Sequence, residues 1–380
     1  MELPIYLDHA ATTPVAPQVL DAMLPYFTNV YGNASAIYTA GAEARDAVEL
    51  ARESIASAIG ADTDDVYFTS GGTEANNWAI KGTAAAAKPG KNHLLVTPIE
   101  HHSVLDPCLS LQKAGYDVEF IPVDSTGLVE PHEIANRIRR ETFLVSVMHA
   151  NNEVGTVQPI REIGEICRER GVPLHVDAVQ TFGKLPINVD ELGVSLMTLS
   201  AHKLYGPKGV GALYVARRTR IDQYLEGGEQ EKGMRAGTLN VPSIVGFHSA
   251  VELASSLDAS KMSKLRDLFI EEMCGKVGGA HLMGSHEFRL PNNAHFCFDG
   301  IEGESLLLGL DQAGIYASAG SACTAGSVEP SHVLLAMGVP VEQARGAVRF
   351  TLGRDTTEDQ LVYAADTVAK IVQSLRALSH

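Results

Sequence analysis

The chain has 380 residues, 45% of them hydrophobic, and its 46 acidic and 30 basic residues give a formal charge of −16. This length and composition can bury a large core and favour two domains, while the acidic balance disfavours nonspecific binding to nucleic acid or membranes. No apolar run approaches the roughly 20 residues that span a bilayer. Because the first residues, MELP, carry no basic and apolar leader and the five cysteines show no paired spacing, a cytoplasmic location is expected.

Helix and strand patterns alternate along most of the chain. An apolar helical stripe over 44–59 ends at Gly60, and short apolar strands are expected at 66–68, 94–96, 118–121, 143–147, 174–176, 196–199 and 211–215. This alternation predicts an α/β fold with a parallel sheet. Near 257 the pattern changes to a helix from Lys264 onward, strands at 293–298, 315–318 and 347–352, and a final helix. We therefore expect a large domain at 15–256 and a smaller α+β domain formed by 1–14 and 257–380.

Lys203 stands directly after the apolar run 196–199, in the sequence SAHK at 200–203. Lysines are usually solvated, so an amine at the mouth of a buried strand needs a reason to be held there. A Schiff base with pyridoxal 5'-phosphate supplies one. Alone, the tetrapeptide is more typical of an exposed lysine in a loop. Motifs at other strand ends must decide between such a lysine and one that binds the cofactor.

Asp177 follows the apolar residues 173–176. Ligands of open α/β sheets collect where strands end, and an ionised Asp there can keep the pyridine nitrogen of the cofactor protonated. The amide of Gln180 could donate to the phenolic oxygen. Asp177 is also a candidate N-cap of a helix that starts at 178, and both roles can hold together.

A candidate phosphate site is the sequence SGGTEAN at 70–76, which follows a strand-like segment. Backbone N–H groups near Gly72 and the hydroxyl of Thr73 can approach an anion at a helix N-terminus, and Ser200 and His202 could complete the site. A Gly-Gly-Thr turn is also a common helix start, so the motif is only moderately specific.

His101 follows the predicted strand 94–96 and offers an imidazole that can stack on the cofactor ring and transfer protons. The vicinal pair His101 and His102 could instead bind a metal ion. No carboxylate or cysteine stands nearby at a familiar ligand spacing, so no metal site is expected.

Taken in order, these motifs resemble those of cysteine desulfurases of the NifS/IscS type, within the fold type I, aspartate-aminotransferase-like pyridoxal-phosphate enzymes. The resemblance runs nearly end to end. It is carried by YLDHAATTP at 6–14, GNAS at 32–35, SGGTEAN at 70–76, EH at 100–101, NNEVG at 151–155, DAVQ at 177–180, SAHK at 200–203, RAGT at 235–238, GSACT at 320–324 and RFTLG at 349–353. It implies conversion of L-cysteine to L-alanine, with the sulfur held as a persulfide on an enzyme cysteine and passed to an acceptor protein. An iron–sulfur scaffold or a tRNA-thiolation relay would be such an acceptor.

Cys323 is the candidate persulfide cysteine because residues 317–327 are almost all small and offer the backbone freedom that sulfur delivery needs. Within the family, GSACT marks the branch with a longer, flexible catalytic loop. A free surface thiol in a linker is the alternative. The remaining cysteines, at 108, 167, 274 and 297, are expected to be small buried hydrophobes.

Substrate recognition needs a planar cation, since a guanidinium can bind both oxygens of a carboxylate. Arg349 matches the family position, and Arg354 is the nearby competitor. The resemblance implies that Asn152 contacts both cofactor and substrate, with Asn33 a less certain contributor. It also implies that Thr238 reaches the phosphate of the neighbouring subunit, and hence a homodimer with composite sites.

Two alternatives stay open on the sequence alone. An aminotransferase or a selenocysteine lyase would use the same scaffold, although transamination has no use for Cys323. A non-enzymatic binding protein on this scaffold would not need every one of these chemical groups.

Overall fold

A computed structural model describes residues 4–319 and 330–378. The strands are β1 Ile5–Tyr6, β2 Val66–Thr69, β3 His93–Val96, β4 Asp117–Phe120, β5 Thr142–Ser146, β6 Leu174–Asp177, β7 Leu196–Ser200, β8 Gly211–Val215, β9 Ala280–Met283, β10 Asn293–Phe298, β11 Ile315–Tyr316 and β12 Ala347–Thr351. The helices are α1 Pro17–Met23, α2 Pro25–Thr28, α3 Thr39–Ile59, α4 Gly72–Ala85, α5 His102–Lys113, α6 Pro131–Arg137, α7 Ile160–Arg170, α8 Val241–Ser255, α9 Ala259–Lys276, α10 Gly303–Gln312, α11 His332–Ala336, α12 Val341–Ala344 and α13 Glu358–Leu378.

The largest sheet has seven strands in the order β2-β8-β7-β6-β5-β3-β4. Six of them run parallel, and β8 runs antiparallel to both of its neighbours. The α/β class and the mostly parallel seven-stranded sheet are thereby confirmed. Strand β8 departs from the parallel order because a short turn region, rather than a crossover helix, connects it to β7.

The predicted stripe on α3 faces the core of the large sheet. Its apolar residues Ala44, Val48, Ala51, Ile55 and Ile59 are buried. Gly60 ends the helix in a left-handed conformation with φ of 68°, as expected of a glycine at this position.

A second core surrounds the antiparallel sheet β12-β10-β9. Phe269, Phe296 and Phe350 meet at its centre, and Ile5 and Leu7 from the start of the chain belong to it. These separate cores support the proposed division into a large domain at 15–256 and a small domain formed by 1–14 and 257–380.

Three local predictions are wrong. Helix α9 starts at Ala259 rather than Lys264, because the Asp258 side chain caps the backbone N–H groups of Ser260 and Lys261. Cys274 is exposed, since it lies one position beyond the buried Met273 and so turns away from the core. The expected strand at 315–318 is regular only over Ile315–Tyr316, where it pairs with β1.

No described helix is long and apolar enough to cross a bilayer.

Candidate active site

A cavity of about 410 Å³ lies where the parallel strands end. It brings together ten of the predicted site residues, namely Gly72, Thr73, His101, Asn152, Asp177, Gln180, Ser200, His202, Lys203 and Arg349. They lie at the ends of β2, β3, β5, β6 and β7 or just after them, except Arg349, which lies on β12. The sheet thus collects residues that are far apart in the sequence.

Lys203 ends a single 3-10 turn, Ala201–Lys203, directly after β7. Its Nζ donates to the carbonyl oxygens of Ala10 and Ala11, each at 2.6 Å. The segment that carries these carbonyls is fixed to the same turn, because the backbone N–H of Thr13 donates to the carbonyl of His202 at 3.0 Å. The amine is therefore held at the cavity wall by the start of the chain.

Asp177 is the last residue of β6 and is nearly buried. Its Oδ1 accepts from the backbone N–H of Val179 at 2.9 Å, and its Oδ2 accepts from Nδ2 of Asn76 at 2.8 Å. The predicted N-cap role is wrong, because residues 179–184 form turns and not the expected helix, and the bond to Val179 caps a turn only. Two hydrogen bonds thus hold the carboxylate at the cavity.

His101 is the N-cap of α5, and its Nδ1 accepts from the backbone N–H of Ser103 at 3.0 Å. An accepting Nδ1 assigns the proton of the neutral ring to Nε2. Burial lowers the pKa of His101, and so does the charge of Lys203, against the opposing effect of Asp177. The ring is therefore held neutral with one N–H. The adjacent His102 packs against His332, with ring centroids 4.9 Å apart.

The predicted anion site has two features that suit a phosphate. Gly71 has φ of 150°, and a Cβ at Gly72 would lie 2.9 Å from Cγ2 of Val179, so glycine is needed where α4 begins. The first N–H groups of a helix have no intrahelical partner. The Ser200 hydroxyl is buried and has no hydrogen-bond partner among the described residues. A buried hydroxyl of this kind suits a ligand oxygen.

His202 and Gln180 line the cavity through side chains already held by the N-terminal segment. His202 Nδ1 lies 3.1 Å from the Thr12 hydroxyl, and burial with the nearby charge of Lys203 lowers the pKa of His202 to about 4. Gln180 Nε2 donates to the Ala10 carbonyl at 3.0 Å. Since an amide nitrogen carries two hydrogens, Gln180 keeps a second donor for a ligand.

Arg349 is only 2% exposed. Its Nη2 lies 2.8 Å from Oδ1 of Asp8, and its Nη1 donates to the carbonyl of Asn152 at 2.8 Å. The competing Arg354 instead stacks on Tyr205 at 5.1 Å and does not line the cavity. The structure therefore favours Arg349 as the cation of this site.

Two predicted residues that the structure describes, Asn33 and Thr238, do not line the cavity. Asn33 is exposed, and its side chain accepts from the backbone N–H of Ser35. Thr238 is also exposed, which leaves the expected contact with a neighbouring subunit as a prediction. Cys323 lies outside the described residues.

Sequence reasoning missed Asn76, which bonds both Asp177 and the hydroxyl of Ser103. It lies one helical turn beyond Gly72 and Thr73, so its position in SGGTEAN could have indicated it. It also missed Asp8 and the carbonyls of Ala10 and Ala11. Their partners lie about two hundred or more residues away in the sequence, and no local pattern reports such pairs.

The chain matches the aminotransferase class-V family model over residues 5–363. It is 48% identical to the cysteine desulfurase IscS of Dictyoglomus turgidum, over 100% of this chain and 97% of that protein. It is 49% identical to the IscS of Methanosarcina thermophila, over 99% and 93%. Among solved structures it resembles a NifS-like protein with a TM-score of 0.92, 38% identity, and coverage of 98% of this chain and 100% of that one. A structure of SspA in complex with cysteine gives a TM-score of 0.83 and 37% identity over 93% and 100%.

Fold and cavity together define a fold type I, pyridoxal-phosphate-dependent enzyme. The cavity offers this cofactor an amine at Lys203, a carboxylate at Asp177, and the unpartnered hydroxyl of Ser200 beside the start of α4. These residues fit the aldehyde, the pyridine nitrogen and the phosphate, respectively. The chain belongs to the aminotransferase class-V family.

Proposed function

We propose that this chain converts L-cysteine to L-alanine and passes the sulfur, as a persulfide on Cys323, to an acceptor protein. Its sequence identity of 48–49% to cysteine desulfurases, over 99–100% of the chain, makes it an enzyme of that class, and L-cysteine is its substrate. The net step is that L-cysteine and the Cys323 thiol give L-alanine and a Cys323 persulfide. The observation that carries the residue-level proposal is the convergence of Lys203, Asp177 and His101 in one cavity.

Bound pyridoxal phosphate supplies an aldehyde that combines with amines and a protonated ring that draws electrons from the α-carbon of the substrate. Lys203 supplies the amine that combines with it, and also the base that removes and returns the α-proton. Asp177 supplies a fixed negative charge for the pyridine nitrogen, and the bonds from Asn76 and Val179 keep that carboxylate in place.

His101 moves protons beside the reacting groups. Since burial lowers its pKa, the ring stays neutral at physiological pH, with Nδ1 bound by the Ser103 amide and the proton on Nε2. A neutral imidazole with a fixed tautomer can both stack and donate.

Arg349 binds the carboxylate of the substrate. Asp8 and the Asn152 carbonyl each engage one of its terminal nitrogens, which holds the guanidinium at the cavity wall. A guanidinium carries five N–H groups, so it can bind a further carboxylate while these contacts persist.

The site is proposed to be completed by a second copy of the chain. Large apolar side chains are exposed along α1, α2 and the segment that follows, including Tyr31 at 76% and Ile37 at 98% exposure. Such a patch marks an interface. A homodimer that covers this patch would place Asn33 against the partner subunit. Thr238 is proposed to reach the phosphate site of that subunit. Light scattering should give twice the chain mass, and a monomeric Ile37→Asp variant would support the patch as the contact.

The central test is incubation of the purified holoenzyme with L-cysteine and a reductant, followed by assay of alanine and sulfide. Equal amounts of both are expected, whereas transamination would give no sulfide.

Lys203→Ala should abolish cofactor attachment and turnover, while Cys323→Ala should keep the bound cofactor and lose the persulfide. Cys274→Ala, which removes an exposed thiol far from the motif, is the matched control and should transfer sulfur normally. Persulfide on the Cys323→Ala protein would refute the assigned nucleophile.

A further inference from the structure

Four side chains form a hydrogen-bond network that starts at Asp177 and ends at His101. Nδ2 of Asn76 donates to Oδ2 of Asp177 and to Oγ of Ser103, each at 2.8 Å. Oγ of Ser103 lies 2.7 Å from Nδ1 of His101. Two residues with proposed roles in the reaction are thus connected, without a gap, by one amide and one hydroxyl.

The hydrogen bonds of this network all point one way. The backbone N–H of Ser103 donates to Nδ1 of His101 at 3.0 Å, so this nitrogen is an acceptor and the Ser103 hydroxyl must also donate to it. The same hydroxyl oxygen accepts from Asn76. A carboxylate at Asp177 can only accept, so the amide nitrogen of Asn76 has to face it.

The orientation of the Asn76 amide leaves its own oxygen without a partner. Asn76 is 1% exposed, and its Oδ1 has no hydrogen-bond partner among the described residues. Buried polar atoms in this state are uncommon and need a reason. A reversed amide would place Oδ1 against the carboxylate of Asp177, oxygen against oxygen. The carboxylate therefore selects the orientation that also sends an N–H to Ser103.

Burial makes this network effective. Asn76, Ser103 and Asp177 are all buried, so water competes poorly for their polar atoms. In such surroundings hydrogen bonds are stronger than in water, and a hydroxyl that accepts one bond becomes a better donor in the next. The bond from Asn76 therefore strengthens the bond from the Ser103 hydroxyl to Nδ1 of His101.

We propose that Asn76 and Ser103 are positioning residues that make the acid–base behaviour of His101 depend on the carboxylate of Asp177. This inference rests on the proposed function of His101 in proton transfer. Asp177 orients the Asn76 amide, the amide orients the Ser103 hydroxyl, and the hydroxyl keeps Nδ1 of His101 an acceptor. No proton moves along the network, because each hydrogen stays on its donor. The single proton of the neutral ring stays on Nε2.

Charged and titratable groups on other elements also act on His101. Burial lowers its pKa, the charge of Asp177 opposes this effect, and the remaining charges lower the pKa further. These remaining groups are Lys203 after β7, His102 on α5 and His332 on α11, and the same cavity is also lined by His202 and Arg349. A substitution at position 103 removes none of these groups. A change in the pKa of His101 caused by that substitution therefore reports on the hydroxyl.

The test is the pKa of His101 in the full-length holoprotein with isotope-labelled histidine, followed by NMR through a pH titration. Loss of one signal in His101→Gln assigns it. Ser103→Ala removes a donor that favours the neutral ring, so the pKa of His101 should rise by about half a unit to one unit. Ser110→Ala removes an exposed serine from the same helix. This variant is the matched control and should leave the pKa of His101 unchanged.

A second substitution tests whether the network acts as a unit. Asn76→Ala should raise the pKa of His101 by less than Ser103→Ala does, because the hydroxyl remains but loses the bond that orients it. In the Ser103→Ala background it should add nothing, since the link through the hydroxyl is already broken. An equal shift in both backgrounds would overturn the proposal, and so would an unchanged pKa of His101 in Ser103→Ala.

Alanine release by the same proteins separates this inference from the function on which it rests. A raised pKa of His101 together with slower release is the expected result for Ser103→Ala. A raised pKa with unslowed release would support the network and would instead refute the role of His101 in proton transfer, so the two failures are distinguishable. Thermal unfolding of each variant confirms that the comparison is made on folded protein.

Discussion

The carboxylate of Asp8 lies 2.8 Å from Nη2 of Arg349, although 341 residues separate them in the sequence. Both side chains are largely shielded from solvent, so the contact is a charge-assisted hydrogen bond with little screening. It ties the start of the chain to the residue proposed to bind the substrate carboxylate.

Asp8→Asn should therefore weaken substrate binding. The amide keeps the shape but removes the charge that holds the guanidinium, and a charged hydrogen bond is worth about 1.5–3 kcal/mol. We expect the KM for L-cysteine to rise roughly tenfold or more, with a smaller change in kcat. Steady-state kinetics measures both, and an unchanged KM would contradict the positioning role. Arg354→Lys, outside the cavity, is the control and should leave KM unaltered.

Asp177→Asn should separate cofactor binding from catalysis. The variant keeps one oxygen, which can still accept from the Val179 amide, but its amide nitrogen cannot accept from Nδ2 of Asn76, and the side chain no longer stabilises a protonated pyridine. Turnover should fall by about a hundredfold or more while cofactor content stays near that of the wild type. Absorbance measures the content and alanine release measures the rate. Full activity in this variant would reject the role of Asp177.

Ser200→Ala should weaken cofactor binding without destabilising the apoprotein. The Ser200 hydroxyl has no partner among the described residues, so its removal breaks no bond there. A roughly tenfold loss of pyridoxal-phosphate affinity is expected, measured by equilibrium dialysis. Thr198→Val is the matched contrast, because its hydroxyl bonds the buried His175 at 3.1 Å. That change should lower the unfolding temperature and leave affinity intact.

Glu100→Gln should alter how stability depends on pH. Burial raises the pKa of Glu100 from 4.5 to about 8. Between these values the folded chain binds more protons than the unfolded chain, so this group's contribution to stability falls as pH rises. The variant lacks this term. Its free energy of unfolding, relative to the wild type, should therefore increase from about pH 4.5 to about pH 8 and then level off, by up to a few kcal/mol in total. Urea unfolding at several pH values tests the trend, and a pH-independent difference would contradict it.

Much of the site could be predicted because parallel strands bring their ends together. Asp177, His101 and Lys203 each follow an apolar strand, and strand order did not have to be known to place them at one edge. The features that could not be predicted depend on contacts between distant residues, or on where a helix starts and which way its side chains face. The pairing of Asp8 with Arg349 has no local signal, the exposure of Cys274 follows from the facing of α9, and the start of α9 was set by a single capping side chain, Asp258.

The placement of residues 5–13 also fixes an order of events during synthesis. Ile5 pairs with Ile315, and Asp8 binds Arg349. The segment that leaves the ribosome first can therefore form these contacts only after the last fifth of the chain has been synthesised. Until then the core that Ile5 and Leu7 join is incomplete, because Leu306, Ile315, Phe350 and the buried residues of α13 belong to it. The same stretch supplies the carbonyls that hold Lys203, so the cavity is completed late. Pyridoxal phosphate should therefore bind after translation and not during it.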